Sequence, residues 1–235
     1  MKKFLIAAFV LFAALPVRAQ LFGGEDVINN PNFDMQRFSW GYFLGFNTYD
    51  FDFDYKDYIK GANQGKDFHV DRTIGFNVGL IGNMRLNDHF DLRLEPGVSF
   101  NRINFIFNKS DPTDSFREIN STFVHIPLLL KFSTTRINNF KPFVVGGVST
   151  SLNLSSNENN PEDNSDGQFR MTTNNFYYEI GFGIDLYLYY FKFTPSIRGV
   201  FAINNEFIKD DNPVFNSDNI EKMSSRAVFI NFTFQ

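Results

Sequence analysis

The chain has 235 residues, with 22 Lys+Arg against 26 Asp+Glu, no cysteine, and 32 Phe, 9 Tyr and 1 Trp. That length suits one domain or two small ones. The missing cysteine excludes a disulfide scaffold, a thiol nucleophile, a thiolate zinc site and a lipidated cysteine. A pI near 5.4 without Lys/Arg clusters speaks against nucleic acid as a partner. So many rings in a chain of negative mean hydropathy fit an alternating membrane barrel better than a soluble core or a helical membrane protein.

Met1-Lys2-Lys3 is a positive start, Phe4 to Leu15 is a 12-residue apolar stretch, and Val17-Arg18-Ala19 sets small residues at a cleavage site. This reads as a signal peptide over residues 1–19, with the mature chain starting at Gln20. Its removal would take Lys2, Lys3 and Arg18 and leave 19 basic against 26 acidic residues. Residues 20–36, with Asn29-Asn30-Pro31, read as a periplasmic lead-in, and 37–235 as the barrel. No later stretch is long and apolar enough for a transmembrane helix.

From Phe38 the pattern has period two, which puts alternate side chains on opposite faces of a strand. Phe38, Trp40, Tyr42, Leu44 and Phe46 oppose Ser39, Gly41 and Gly45, with Phe43 the exception. Ile74, Phe76, Val78, Leu80, Met84 and Leu86 form the next apolar set, and Asn87-Asp88 a tight turn. Phe90, Leu92, Leu94, Val98 and Phe100 follow. The phase then slips to Ile103, Phe105 and Phe107, which predicts a bulge near Arg102. Further sets are Val124 to Phe132, a Gly- and Val-rich strand from Pro142 to Leu154, Phe176 to Leu186, Phe191 to Ile203, and Val228 to Phe234. These make eight strands. Long connections near 48–72, 108–121, 155–175 and 204–222 alternate with short ones near 87–88, 135–139 and 188–190. The expectation is an all-β, eight-stranded antiparallel up-and-down transmembrane barrel of the outer membrane.

A soluble eight-stranded barrel of the lipocalin kind would turn the apolar face inward around a ligand. The lopsided loops, the aromatics near strand ends and the small polar residues on the other face favour lipid outside. The inward charges are then Asp91, Glu95, Glu179 and Asp185 against Arg85, Arg93, Lys131, Lys192 and Arg198, with His125 beside them. Ions in a confined interior need partners, so near-balance suggests a paired plug. A narrow polar conduit is the functional alternative. Pro142 can open a strand, whereas Pro96, Pro127 and Pro195 require bulges or kinks.

Little else carries chemistry. His69, His89 and His125 lack the spacing of a helical metal pair, and Gly147 to Ser151 lacks the second glycine of a nucleophile elbow. Gly181-Phe182-Gly183 is a packing site in a strand. The run Asp50-Phe51-Asp52-Phe53-Asp54 invites calcium, yet Tyr55 stands where an EF-hand loop needs glycine. A first strand projecting beyond the bilayer is the simpler reading. The four long loops carry 18 acidic against 9 basic residues, as solvated loops or a docking surface for a partner or cation-bridged lipopolysaccharide. No catalytic residue, cofactor or metal site is expected, and an enzyme has little support.

The segment Asn32-Phe33-Asp34, Arg37-Phe38, Trp40 to Asn47 and Asp50-Phe51 resembles the opening of PorT/SprT proteins. The similarity resumes at Val124-His125-Ile126-Pro127-Leu128-Leu129-Leu130-Lys131-Phe132 and runs through Asn139 to Val148. Related Bacteroidetes outer-membrane barrels share the Ile-Pro-Leu-Leu-Leu-Lys pattern, so the opening block is the more telling. The resemblance implies an eight-stranded outer-membrane protein needed by the type IX secretion system, which also serves gliding motility in relatives. Its partners would be other components of that system, outer-membrane lipid and lipopolysaccharide, and the barrel-assembly machinery. Asn32, Phe33, Asp34, Arg37, Gly41, Gly45, Asn47 and Asp50 are the interaction candidates it implies. Here Gln235 follows Phe234, whereas the usual outer-membrane ending is an aromatic residue. A small channel, or an adhesin acting through the acidic loops, are the rival readings.

Overall fold

The computed structural model describes residues 27–55, 69–106, 116–156, 172–207 and 220–235. The expected signal peptide, the first part of the lead-in, Phe107 and the middles of the long loops lie outside them. A 3-10 turn, Phe33–Met35, precedes ten strand segments: β1 (Phe38–Tyr55), β2 (His69–Arg72), β3 (Ile74–Arg85), β4 (Phe90–Leu94), β5 (Gly97–Ile106), β6 (Phe116–Ser133), β7 (Phe140–Asn153), β8 (Asn174–Tyr187), β9 (Lys192–Ala202) and β10 (Ile220–Phe234). β2 with β3 and β4 with β5 are each one strand in two pieces, so the wall has eight staves. Each stave pairs antiparallel with the next, and β1 joins both β3 and β10. The sheet therefore closes along the β1–β3 seam, from Phe38↔Met84 to Thr48↔Ile74; beyond that seam, among the described residues, β2 is laddered to β5 and the end of β1 to β10. Closure at eight staves leaves an interior just wide enough for side chains to fill.

The alternation sorts the faces as expected. Trp40 is 75% exposed and Ile74 81%, with Ile180 and Phe182 similarly bare, while Asn47, Ser99 and Thr194 are buried inside. A wall of bare aromatic and branched residues around a polar interior suits hydrocarbon outside, and it overturns the ligand-in-the-middle alternative. Phe43, the exception to the pattern, does point inward, at 4% exposed. Its ring fills the space left by Gly79 and Gly97, where an added Cβ would sit 2.5 and 2.7 Å from the ring edge. Phe143 uses Gly183 in the same way, at 2.6 Å. Both of these inward rings take the space that glycines on neighbouring strands leave.

The strand boundaries depart from the sequence reading in several places. β1 runs on to Tyr55, as expected of a first strand projecting through Asp50–Asp54, although the connection there was placed at 48–72; β6 starts at Phe116, inside what read as a loop. The polar residues of β6 above the apolar band hid its strand pattern. The irregularity expected near Arg102 is there, with the extra residue on the facing stave: between Arg72↔Ile103 and Phe76↔Phe100 the three residues Thr73 to Gly75 oppose Asn101 and Arg102, while β5 and β6 keep one register from Gly97↔His125 to Ile106↔Phe116. A second interruption falls at Glu95–Pro96, between Leu94↔Leu128 and Gly97↔His125, with equal residue counts on both strands. Pro127 faces that same gap, where its carbonyl accepts the Glu95 N–H at 3.2 Å. Two residues lacking N–H donors thus share one level of the wall, and neither needs an extra residue. At Pro195 the β8–β9 ladder lapses between Gly183↔Ser196 and Leu186↔Phe193. Pro142 lies two residues inside β7 and does not open it.

The tight turns sit at one end. Asn87 Oδ1 accepts the N–H groups of His89 and Phe90 at 2.9 and 2.8 Å, an Asx turn. Asn138 takes φ 50° in the next hairpin. Leu188 donates to the Phe191 carbonyl at 3.0 Å in the third. In such barrels short turns mark the periplasmic end.

Candidate functional site

The lumen is filled in three tiers. At the outer end Tyr49, Phe51, Phe123, Tyr177, Met223 and Phe229 form an apolar cluster. Tyr49 stacks on Phe123 with ring centres 5.3 Å apart. The sequence reading took this face as small and polar and missed these inward rings.

In the middle tier, Arg198 bridges two carboxylates from different staves. Its Nη1 donates to Glu95 Oε2 at 2.7 Å, and its Nε lies 2.7 Å from Glu179 Oε2. His125 Nε2 is 2.7 Å from Glu179 Oε1, and Arg93 Nη1 is 3.4 Å from Glu95 Oε1. The inner tier centres on Asp185, which accepts from Lys131 and, at 2.8 Å, from Thr194 Oγ1. Lys192 and Asp91 stand 4.0 Å from this pair's atoms, at Asp185 and Lys131 respectively. Lys131 also lies 4.2 Å from the Phe143 ring centre. Of the charges expected inward, Asp91, Arg93, Glu95, Lys131, Glu179, Asp185, Lys192 and Arg198 are buried here. Arg85 is the departure: it sits at the inner rim, partly exposed and paired with Asp88 at 2.6 Å. Lys141 and Glu206 are buried charges that the sequence reading left out.

These tiers leave little free space. The void beside Glu95, His125 and Arg198 is about 10 Å³, room for about one water. Among the described residues the His125–Glu179 contact therefore has only this water-sized void beside it, and it forms part of the ion network.

The inner mouth is covered by residues 27–37. Phe33 reaches under the lumen, 4.4 Å from Lys192 Nζ and edge-on to Tyr187. Asp34 Oδ1 accepts from Tyr187 Oη at 2.6 Å, and Asp34 Oδ2 lies 3.4 Å from Arg136 Nη1. Arg136 lies flat on the Tyr187 ring, its guanidinium carbon 3.7 Å from the ring centre. It also donates to the carbonyls of Asn29 and Asn30. Asn139 holds the same segment twice, its Oδ1 accepting from Asn29 N–H at 2.9 Å and its Nδ2 donating to the Val27 carbonyl at 2.9 Å. The Arg37 carbonyl accepts from Arg85 N–H at 2.8 Å.

The interaction candidates do not gather into one site. Asn32 precedes the 3-10 turn and bonds it through its backbone carbonyl, which accepts from Met35 N–H at 3.2 Å, and Phe33, Asp34 and Arg37 belong to the inner cover. Gly41 and Gly45 are where β1 lies against the backbone of β10. Asn47 accepts from Asn101 at 2.9 Å inside the lumen. Asp50 faces outward and binds Arg72 and Arg226, so its carboxylate is engaged by guanidiniums. Among the described residues no group of three or more His, Asp or Glu is arranged to hold a metal ion.

At the outer mouth Glu206, in the connection after β9, hooks back over the lumen. It accepts from Tyr177 Oη at 2.9 Å, Ser225 Oγ at 2.8 Å and Ser225 N–H at 3.1 Å. Burial pushes its carboxyl up to about 7 against those bonds. The folded group thus holds a proton more tightly than the unfolded one. Its contribution is full below about pH 4.5 and is lost as pH rises through about 7. Amide exchange at Asn205–Phe207 should be faster at pH 8 than the intrinsic pH effect accounts for, relative to pH 5. Glu206→Gln should remove that excess. An unchanged excess in E206Q would assign it to another group.

A search of curated protein sequences finds no match. Among solved structures the chain is similar to the outer membrane protein OprG from Pseudomonas aeruginosa, at 15% identity over 83% of this chain and 94% of that one, with a TM-score of 0.49. It is also similar to Neisserial surface protein A, at 10% identity over 84% and 98%, with a TM-score of 0.43. The family model described as outer membrane protein beta-barrel domain matches residues 19–208.

Proposed function

Because the chain belongs to the outer membrane protein beta-barrel domain family, we propose that it is a non-enzymatic accessory of the type IX protein secretion system, acting through protein contacts at its inner end. The observation that carries this reading is the ordered cover at the inner mouth. Asn32, Phe33 and Asp34, part of the block that resembles PorT/SprT proteins, are held by Arg136, Tyr187 and Lys192. Val27, Ile28 and Met35 stay exposed on that cover, at 67%, 54% and 79%. A packed lumen favours contact over conduction, which weighs against the small-channel reading.

The test is deletion of the gene in its own host, with a type IX cargo measured in the medium and in the periplasm. Cargo should accumulate in the periplasm and return to the medium on complementation. Normal secretion would sink the proposal. If the full chain complements and a form lacking residues 20–36 does so equally well, contact through the inner cover is wrong.

A further inference from the structure

The outer wall changes character within one pleat. On one side of the boundary stand the bare apolar residues Ile74, Val228 and Phe46, on the lipid-facing band. On the other stand Asp50, Arg72 and Arg226, on three different staves. Asp50 is directly opposite Arg226 in the β1–β10 register. A single carboxylate oxygen, Asp50 Oδ2, accepts from Arg72 Nη2 at 2.7 Å and from Arg226 Nε at 2.9 Å. With Arg226 Nη2 also 2.8 Å from that oxygen, this fixes two guanidiniums side by side. Their side chains remain 61% and 50% exposed. Asp50 offsets one of the two charges. Asp52 comes only within 3.9 Å of Arg226 and is 70% exposed, where water screens it.

Beneath the two arginines the wall carries a groove of about 240 Å³, lined by Thr48, Phe201 and Val228 as well as by the charged trio. Phe201 stacks on Tyr178 on one side, which holds the ring as a fixed flank. The lower part of that groove, at Phe201 and Val228, is apolar and borders the lipid-facing band, where hydrocarbon fits it. Paired guanidiniums match the acceptor oxygens of a phosphate and, unlike lysines, present donors in a fixed fork. Apolar groove below and anion-binding fork above describe one amphiphile.

We infer that Arg72 and Arg226, held by Asp50 above the Thr48–Phe201–Val228 groove, form a site for a phosphorylated lipid of the outer leaflet, with an acyl chain in the groove and the phosphate on the arginines. The site lies on the wall at the opposite end from the inner cover, so it stands independently of the secretion role.

The test uses the full chain in phosphatidylcholine nanodiscs doped with diphosphorylated lipid A, with lipid retained on the protein read by native mass spectrometry. Arg72→Gln with Arg226→Gln should weaken retention about 30-fold, from two arginines beside an anionic lipid. Val228→Trp, which fills the groove and spares both arginines, should also weaken it. All three side chains are outward, and the gel-mobility shift on boiling checks that each variant is folded. Equal retention by the wild type and the double-glutamine variant would overturn the site. If inorganic phosphate at matched concentration displaces lipid A fully, or V228W retains as much as the wild type, the groove contributes nothing and the lipid assignment falls.

Discussion

Arg198→Met should cost the barrel about 3–5 kcal/mol, because it strands two buried carboxylates whose partner is gone. Glu95 and Glu179 come from different parts of the wall, and Arg198 is the cation that touches both at 2.7 Å. Arg93 reaches only Glu95, at 3.4 Å, and His125 only Glu179. The loss should appear as a lower urea midpoint in micelles, followed by circular dichroism and by the fraction that keeps its fast mobility on an unboiled gel. The double variant Glu179→Gln, Arg198→Met separates charge from packing. It removes one carboxylate along with the cation and leaves Glu95 paired with Arg93, so it should recover most of the loss. A double variant as weak as R198M would mean that Arg198 acts through its bulk and not through its charge.

Arg136→Ala should release the inner cover and leave the barrel standing. One guanidinium there serves Asp34, the carbonyls of Asn29 and Asn30, and the face of Tyr187. A partly buried ion pair, two bonds from a charged donor and a stacked cation together give about 2–4 kcal/mol for holding this segment. That exceeds what its few remaining bonds can replace. Amides of residues 27–37 should then exchange or be cut by protease orders of magnitude faster, with the urea midpoint of the barrel nearly unchanged. Protection that persists in R136A would move the anchoring role to Asn139 and Tyr187. In the host, R136A gives the secretion proposal a sharper trial than a truncation, because every residue of the cover is still present.

The fold was legible where each residue faces either lipid or lumen. Phe176, Tyr178, Ile180 and Phe182 alternate with Tyr177, Glu179, Gly181 and Gly183, and the structure sends the first set outward. Parity likewise put eight of the nine expected charges in the interior, and Arg85 missed only because it lies at the rim. Legibility failed where the medium on one side changes. Beyond the apolar band Asp50, Asp52 and Asp54 hold the outward positions while Phe51 points in, so the pattern inverts without the strand ending. Glu206 gave no signal at all. It sits in an Asn-rich stretch without period, and only the return of that stretch over Tyr177 and Ser225 buries it. The prolines were read as bulges because a single strand was considered at a time. Pro96 and Pro127 share one level, which is visible only once β4, β5 and β6 are side by side. The proposed secretion role rests on the resemblance of the opening block, since the family match is to outer-membrane barrels in general.

The chain contains one tryptophan, and the wall puts it in an informative place. Trp40 is 75% exposed on the outer surface near the start of β1, level with Gly82 across the β1–β3 seam. An indole there rests at the inner interface of the bilayer, its ring in the acyl boundary and its N–H toward headgroups. Its emission is therefore a built-in depth gauge that needs no label. Brominated lipids can read it by position along the chain, and the approach of this one ring to the membrane times the arrival of the short-turn end during insertion.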